Sequence, residues 1–111
     1  GSDERLKTNI NFVTSSLSDL IKLQAVTFDW KYRDKFKHKE KNQFGFIAQE
    51  VQKVFPNIIT ESTLPFHCAK EDREDRTLKY LGIDYLKFVP LLVESIKELK
   101  AEIDELKSKI G

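Results

Sequence analysis

Cysteine is nearly absent from this sequence: Cys68 is the only one in 111 residues. No disulfide can close within the chain, and the usage fits a reducing compartment. Long apolar runs are missing too, since none approaches the roughly 18 residues of a membrane helix. The opening stretch from Gly1 to Arg5 lacks the apolar centre of a secretory signal and reads instead as an internal segment exposed by cutting. Charge of one sign is also lacking. With 19 basic and 18 acidic residues, the formal charge of +1 provides no global field for nucleic acid or anionic lipid, and neither is expected as a partner. There is no glycine loop to cradle a phosphate, and His38 and His67 have no company at metal-ligand spacing, so no cofactor or metal is expected. His67 and Cys68 are adjacent and would point apart in an extended segment, which argues against a Cys/His protease pair.

What is present reads as one small α+β domain. A chain of this length buries a modest share of its surface, and a second helix-rich chain would help it. Leu6 to Val13 leans towards β structure, and Thr14, Ser15 and Ser16 offer capping hydroxyls to a helix carrying Leu17, Leu20 and Ile21. From Ala25 the period becomes two: Val26, Phe28, Trp30 and Tyr32 alternate with Thr27, Asp29 and Lys31, a half-buried strand. These aromatics suit a core or a subunit interface better than a ligand platform. The basic, aromatic-interleaved run from Lys31 to Lys41 reads as a solvated hairpin tip, projecting near residues 31–43. Phe44 to Phe55 places Ile47, Val51, Val54 and Phe55 on one helical face, with Gly45 at its entrance and Pro56 as its stop. A short strand at Asn57 to Glu61, an irregular excursion over Ser62 to Arg76 and a strand at Thr77 to Tyr80 complete a globular part spanning 1–80.

The last third differs. Leu92, Ile96, Leu99, Ile103, Leu106 and Ile110 alternate spacings of four and three, a heptad stripe with Ile at a and Leu at d. Glu102 at g and Lys107 at the following e are an interhelical pair of the right sign. Pro90 either falls in the first helical turn or kinks a helix begun near Gly82. The stripe suits packing on the chain's own domain or on other copies. Lys, Glu and Asp crowd the other positions after Lys97, so a helix over 82–110 is expected to run beyond the globular part and associate.

Ser2 and Lys7 are the residues with catalytic potential. A serine needs a base to become a nucleophile, and a lysine serves if burial or nearby positive charge lowers its pKa. Ser/Lys dyads are a known variant of the serine triad, although this spacing alone is unspecific. Specificity comes from several motifs in order: Ser2-Asp3-Glu4-Arg5-Leu6-Lys7-Thr8-Asn9-Ile10, Val26-Thr27-Phe28-Asp29-Trp30, Gly45-Phe46-Ile47-Ala48-Gln49-Glu50-Val51, Phe55-Pro56, Leu78-Lys79-Tyr80 and Val89-Pro90-Leu91-Leu92. In register along essentially the whole chain, these resemble the self-cleaving intramolecular chaperone domain of the endosialidase type, peptidase S74, from the ends of bacteriophage tail fibres, tailspikes and neck appendages.

The resemblance implies a homotrimer whose long helices form a bundle or coiled coil, with an upstream fibre or appendage polypeptide as folding client and cleavage substrate. It implies a single-turnover autoprotease in which Ser2 is the nucleophile and Lys7 the base, active in the host cytoplasm during virion assembly, the released domain not staying in the mature fibre. Arg5 reads as a structural ion-pair residue, and Gln49 and Glu50 as candidates to face the active region or a neighbour. Two alternatives stay open: a trimerisation clamp that does not cleave, and the related autocleaving domain of membrane-tethered transcription factors of the myelin regulatory type.

Overall fold

In the computed structural model the described residues are 1–31, 40–66 and 76–111. Most of the expected basic projection, and His38, His67 and Cys68, lie outside them. Helix α1 (Ser16–Leu20) is followed by an antiparallel pair, β1 (Val26–Phe28) and β2 (Gln43–Gly45), in the register Val26 opposite Gly45 and Phe28 opposite Gln43. Helix α2 (Ala48–Val54) leads into a second antiparallel pair, β3 (Ile59–Phe66) and β4 (Arg76–Ile83), aligned from Ile59 opposite Ile83 to Phe66 opposite Arg76. Helix α3 (Phe88–Ile110) closes the chain. Three-residue 3-10 turns at Glu4–Leu6, Pro56–Ile58 and Tyr85–Lys87 join these elements. The class is α+β, with two two-stranded sheets and a long final helix.

Several local expectations shift. The aromatic alternation pairs only as far as Phe28, and Trp30 turns its ring edge-on to Phe28 at 5.0 Å. Helix α2 starts at Ala48 because residues 43–45 are used as a strand; Ile47 is its extended, exposed N-cap, and Val51 alone of the helix is fully buried. Residues 62–66 are not an irregular excursion. An antiparallel ladder satisfies backbone groups whatever the side chains, so Ser62 and Thr63 pair with Tyr80 and Lys79 despite their polarity. β4 likewise runs through Gly82 to Ile83, and the final helix begins at Phe88. Pro90 therefore sits in its first turn, where a missing N–H costs nothing.

The core is small. Among the described residues Val51, Ile58 and Phe88 are its buried centre, with Leu20, Leu23, Phe46, Phe55, Ile59, Ile83 and Leu91 packed around them. Phe88 stands among rings, 5.6 Å from Phe46, 6.1 Å from Phe55 and 6.2 Å from Tyr85. The Tyr85 hydroxyl accepts the Phe46 N–H at 3.0 Å, and the Asp84 N–H donates to the Ile58 carbonyl at 2.9 Å, so the turn before α3 is tied to both β2–α2 and α2–β3 connections. Such a core offsets little of the entropy lost on ordering a chain of this size.

At about 1.5 Å per residue, α3 is roughly 34 Å long. It presents two adjacent stripes. Phe88, Leu91, Ser95 and Glu98 turn towards the chain's own domain. Leu92, Ile96, Leu99, Ile103, Leu106 and Ile110 are all exposed, Ile96 at 64% and Ile110 at 87%. The heptad stripe is thus unused within a single chain.

Candidate functional site

The amino-terminal motif folds around its own charges. Asp3 caps the Glu4–Leu6 turn, its Oδ1 accepting the Arg5 N–H at 2.9 Å. The same carboxylate takes Arg5 Nε at 3.1 Å and Arg5 Nη2 at 2.7 Å, a two-pronged ion pair across two residues. Arg5 thereby holds the Asp3 carboxyl below the usual aspartate range, and Asp3 raises the guanidinium in turn. The Leu6 and Lys7 N–H groups donate to the Asp3 and Glu4 carbonyls at 3.0 and 3.1 Å. Ser2 and Lys7 flank this turn, Lys7 having returned to extended geometry. Both are solvent-exposed, and no hydrogen bond joins them among the described residues. The turn therefore organises Asp3 and Arg5 in one chain but leaves the two candidate catalytic side chains unengaged.

Beyond Lys7 the arm has no regular structure and bends at Asn9, with Ile10 and Phe12 in solvent, Phe12 at 94% exposure. Asn9 and Ser15 both have positive φ, 52° and 58°. Ser15 is the N-cap of α1 but its hydroxyl caps nothing, contrary to the reading of residues 14–16 as capping hydroxyls. The cap comes from α3: Glu98 Oε2 accepts the Leu17 N–H at 2.8 Å. Beside it Ser16 is buried, its Oγ 3.2 Å from the Leu91 carbonyl and 3.0 Å from Ser95 Oγ. With one proton on Ser16 directed at Leu91, the Ser95 hydroxyl is the donor between the two serines. This α1–α3 clasp was missed in the sequence. Its only local signal is a serine and a glutamate on the inner stripe of an otherwise apolar helix face.

The other candidates are placed as follows. Gly45 ends β2, where a β-carbon would meet Tyr85 Oη at 2.9 Å and Phe28 Cε1 at 3.0 Å. Gln49 lines both an apolar groove with Phe28, Trp30, Phe46 and Ile83 and a polar recess with Glu61 and Lys79. Glu50 pairs with Lys53 at 3.2 Å, an i,i+3 surface bridge. No group of three metal-ligating side chains occurs among the described residues.

A family model described as peptidase S74, chaperone of endosialidase, matches residues 2–60, more than half of the chain. Over 109 residues, 98% of the chain, the sequence is 29% identical to the long tail fibre protein Gp37 of Enterobacteria phage K3, covering 8% of that protein. It is 29% identical over the same share to the long tail fibre protein Gp37 of Enterobacteria phage T2, covering 7% of it. The chain thus spans less than a tenth of the length of these relatives.

Proposed function

The chain belongs to the peptidase S74, chaperone-of-endosialidase family, and on that premise we propose that it is a C-terminal intramolecular chaperone that trimerises and folds an upstream phage fibre or appendage protein, then cuts itself away before Ser2. The observation that carries the reading is the heptad stripe of α3, six apolar residues exposed on a helix whose other face already serves the domain. A soluble chain does not leave such a stripe wet without a partner of matching pattern, and a second and third copy supply one. Holding three chains at one end raises their effective concentration, which is the kinetic difficulty in assembling a long fibre. Ile at a with Leu at d favours two strands in isolation. Three is chosen because the family's globular part holds the base of so short a stripe.

In the cleavage step Ser2 Oγ attacks the carbonyl carbon of the preceding residue, and Lys7, as a free amine, takes the hydroxyl proton. The proton passes to the leaving Ser2 nitrogen as the C–N bond breaks, leaving an ester between the upstream carbonyl and Ser2 Oγ. Water hydrolyses the ester, giving an upstream carboxylate and a domain beginning at Ser2. Assembly would occur in the host cytoplasm, and the released domain would not remain in the mature fibre.

The exposure of Ser2 and Lys7 supports a second reading, a trimerisation clamp without cleavage. Mass spectrometry of a chain extended upstream of Ser2 separates the two. Cleavage before Ser2, abolished by both Ser2→Ala and Lys7→Ala, upholds the protease; an intact extended chain in a folded trimer leaves only the clamp.

A further inference from the structure

Counting back in sevens from Lys107, the e column of α3 reads Lys100, Val93 and, in the turn just before the helix, Leu86. Counting back from Glu102, the g column reads Ser95 and Phe88. These columns flank the heptad stripe on either side, and the fold treats them differently. The g column is covered: Phe88 and Ser95 are buried, and α1 lies over it, with Ser16 Oγ 3.0 Å from Ser95 Oγ and the Leu17 N–H on Glu98 at 2.8 Å. The e column is bare, Leu86 at 80% and Val93 at 50% exposure. It turns to lysine at Lys100, just beyond the Glu98 that meets the amino-terminal end of α1. The e column is thus apolar along the part of α3 that α1 accompanies and charged where α1 ends.

Helix α1 has a spare apolar flank of its own. Ser16 bonds to α3 and Leu20 packs on the core, whereas Leu17 and Ile21, four residues apart, share the next face. Ile21, the C-cap with helical φ and ψ, is 72% exposed. Ser18, Asp19 and Lys22 take the opposite flank, where Lys22 pairs with Asp19 at 2.9 Å. In parallel helices packed through a and d, the e positions of one helix face the g positions of the next. The register that pairs Glu102 with Lys107 of a second copy also brings that copy's Val93 to the level of Phe88. Because α1 roofs the g column there, the arriving e column meets α1.

We propose that the Leu86–Val93 column of each copy packs on the Leu17–Ile21 flank of the next copy's α1, so that three identical heterologous contacts close a ring around the heptad stripe. The inference rests on the trimer proposed above. It widens a narrow a/d seam at its base into an interface that includes the globular part.

The test follows the 111-residue chain by sedimentation over a dilution series, with helicity read by circular dichroism. Ile21→Glu and Val93→Lys both alter positions exposed in the single chain, so each variant is expected to stay folded. Each puts a charge into an apolar contact and should raise the midpoint concentration for trimer dissociation at least about 10-fold. Together in one chain they set opposite charges across the same contact, and most of the loss is expected to return, a coupling that residues in contact show. If Ile21→Glu loses its helical signal, Ile21→Ala is read instead, with a smaller rise expected. An Ile21 variant that trimerises as the wild type does, or a double variant no better than its singles combined, overturns this proposal and leaves the stripe trimer standing. A wild type that forms no trimer rejects the trimer reading, and this proposal with it.

Discussion

The hydroxyl of Tyr85 stands 2.9 Å from the point a β-carbon on Gly45 would occupy, and it accepts the N–H of the next residue, Phe46, at 3.0 Å. The ring stacks near Phe46 and Phe88, so it cannot swing away without disturbing the core. Gly45→Ala is expected to cost about 1–3 kcal/mol by overpacking, read from denaturant unfolding. On a Tyr85→Phe background the penalty should shrink but persist, because Phe28 Cε1 also lies 3.0 Å from that point. Additive single effects would show that the two residues are not coupled.

Phe88 joins the core to the helix that leaves it. With rings on three sides and 5% exposure, Phe88→Ala should cost about 3–5 kcal/mol and lower the melting temperature followed by circular dichroism. A change under about 1 kcal/mol would mean that the aromatic cluster is not packed in solution.

The heptad stripe can be broken without touching the domain. Ile103 is exposed in the single chain, so Ile103→Lys should leave the globular part folded while putting a charge at an a position that the proposed trimer would bury. Sedimentation should show the wild type as a trimer and the variant as monomer. A stable wild-type dimer would overturn the choice of three.

Asp3 and Arg5 make a prediction about pH. The folded pKa of Asp3 lies below its ordinary value of 3.8, so the pair's contribution is present above that value and is lost as pH falls through the lower folded one. Both side chains are exposed, so the turn rather than the global fold should respond. In Arg5→Ala, the carboxyl titration followed by 13C NMR should move back up towards the ordinary value; an unchanged midpoint would mean that the pair does not form in solution.

The Asp3–Arg5 pair of the candidate motif was readable because its signal is local. The Ser2 to Lys7 motif is contiguous, and the role of Arg5 as a structural ion-pair partner follows from a residue two positions away. The clasp was not readable, since it joins residues 79 and 81 positions apart and nothing in a helical period says which serine meets which.

The same division runs through the fold. The sequence by itself determined the body of α3: its 3-4 spacing and charged flanks are short-range properties of one helix, and they also imply its unused stripe, whereas its start at Phe88, with Pro90 in the first turn, was set by β4 running on to Ile83. Only the tertiary structure decided that residues 43–45 pair with β1 instead of opening α2, that residues 62–66, polar Ser62 and Thr63 included, continue a ladder, and that Glu98 rather than Ser15 caps α1. In each case the deciding partner of a backbone group lies far along the chain. Backbone hydrogen-bonding groups must be satisfied by whatever the fold brings near, and side-chain periodicity does not record that choice.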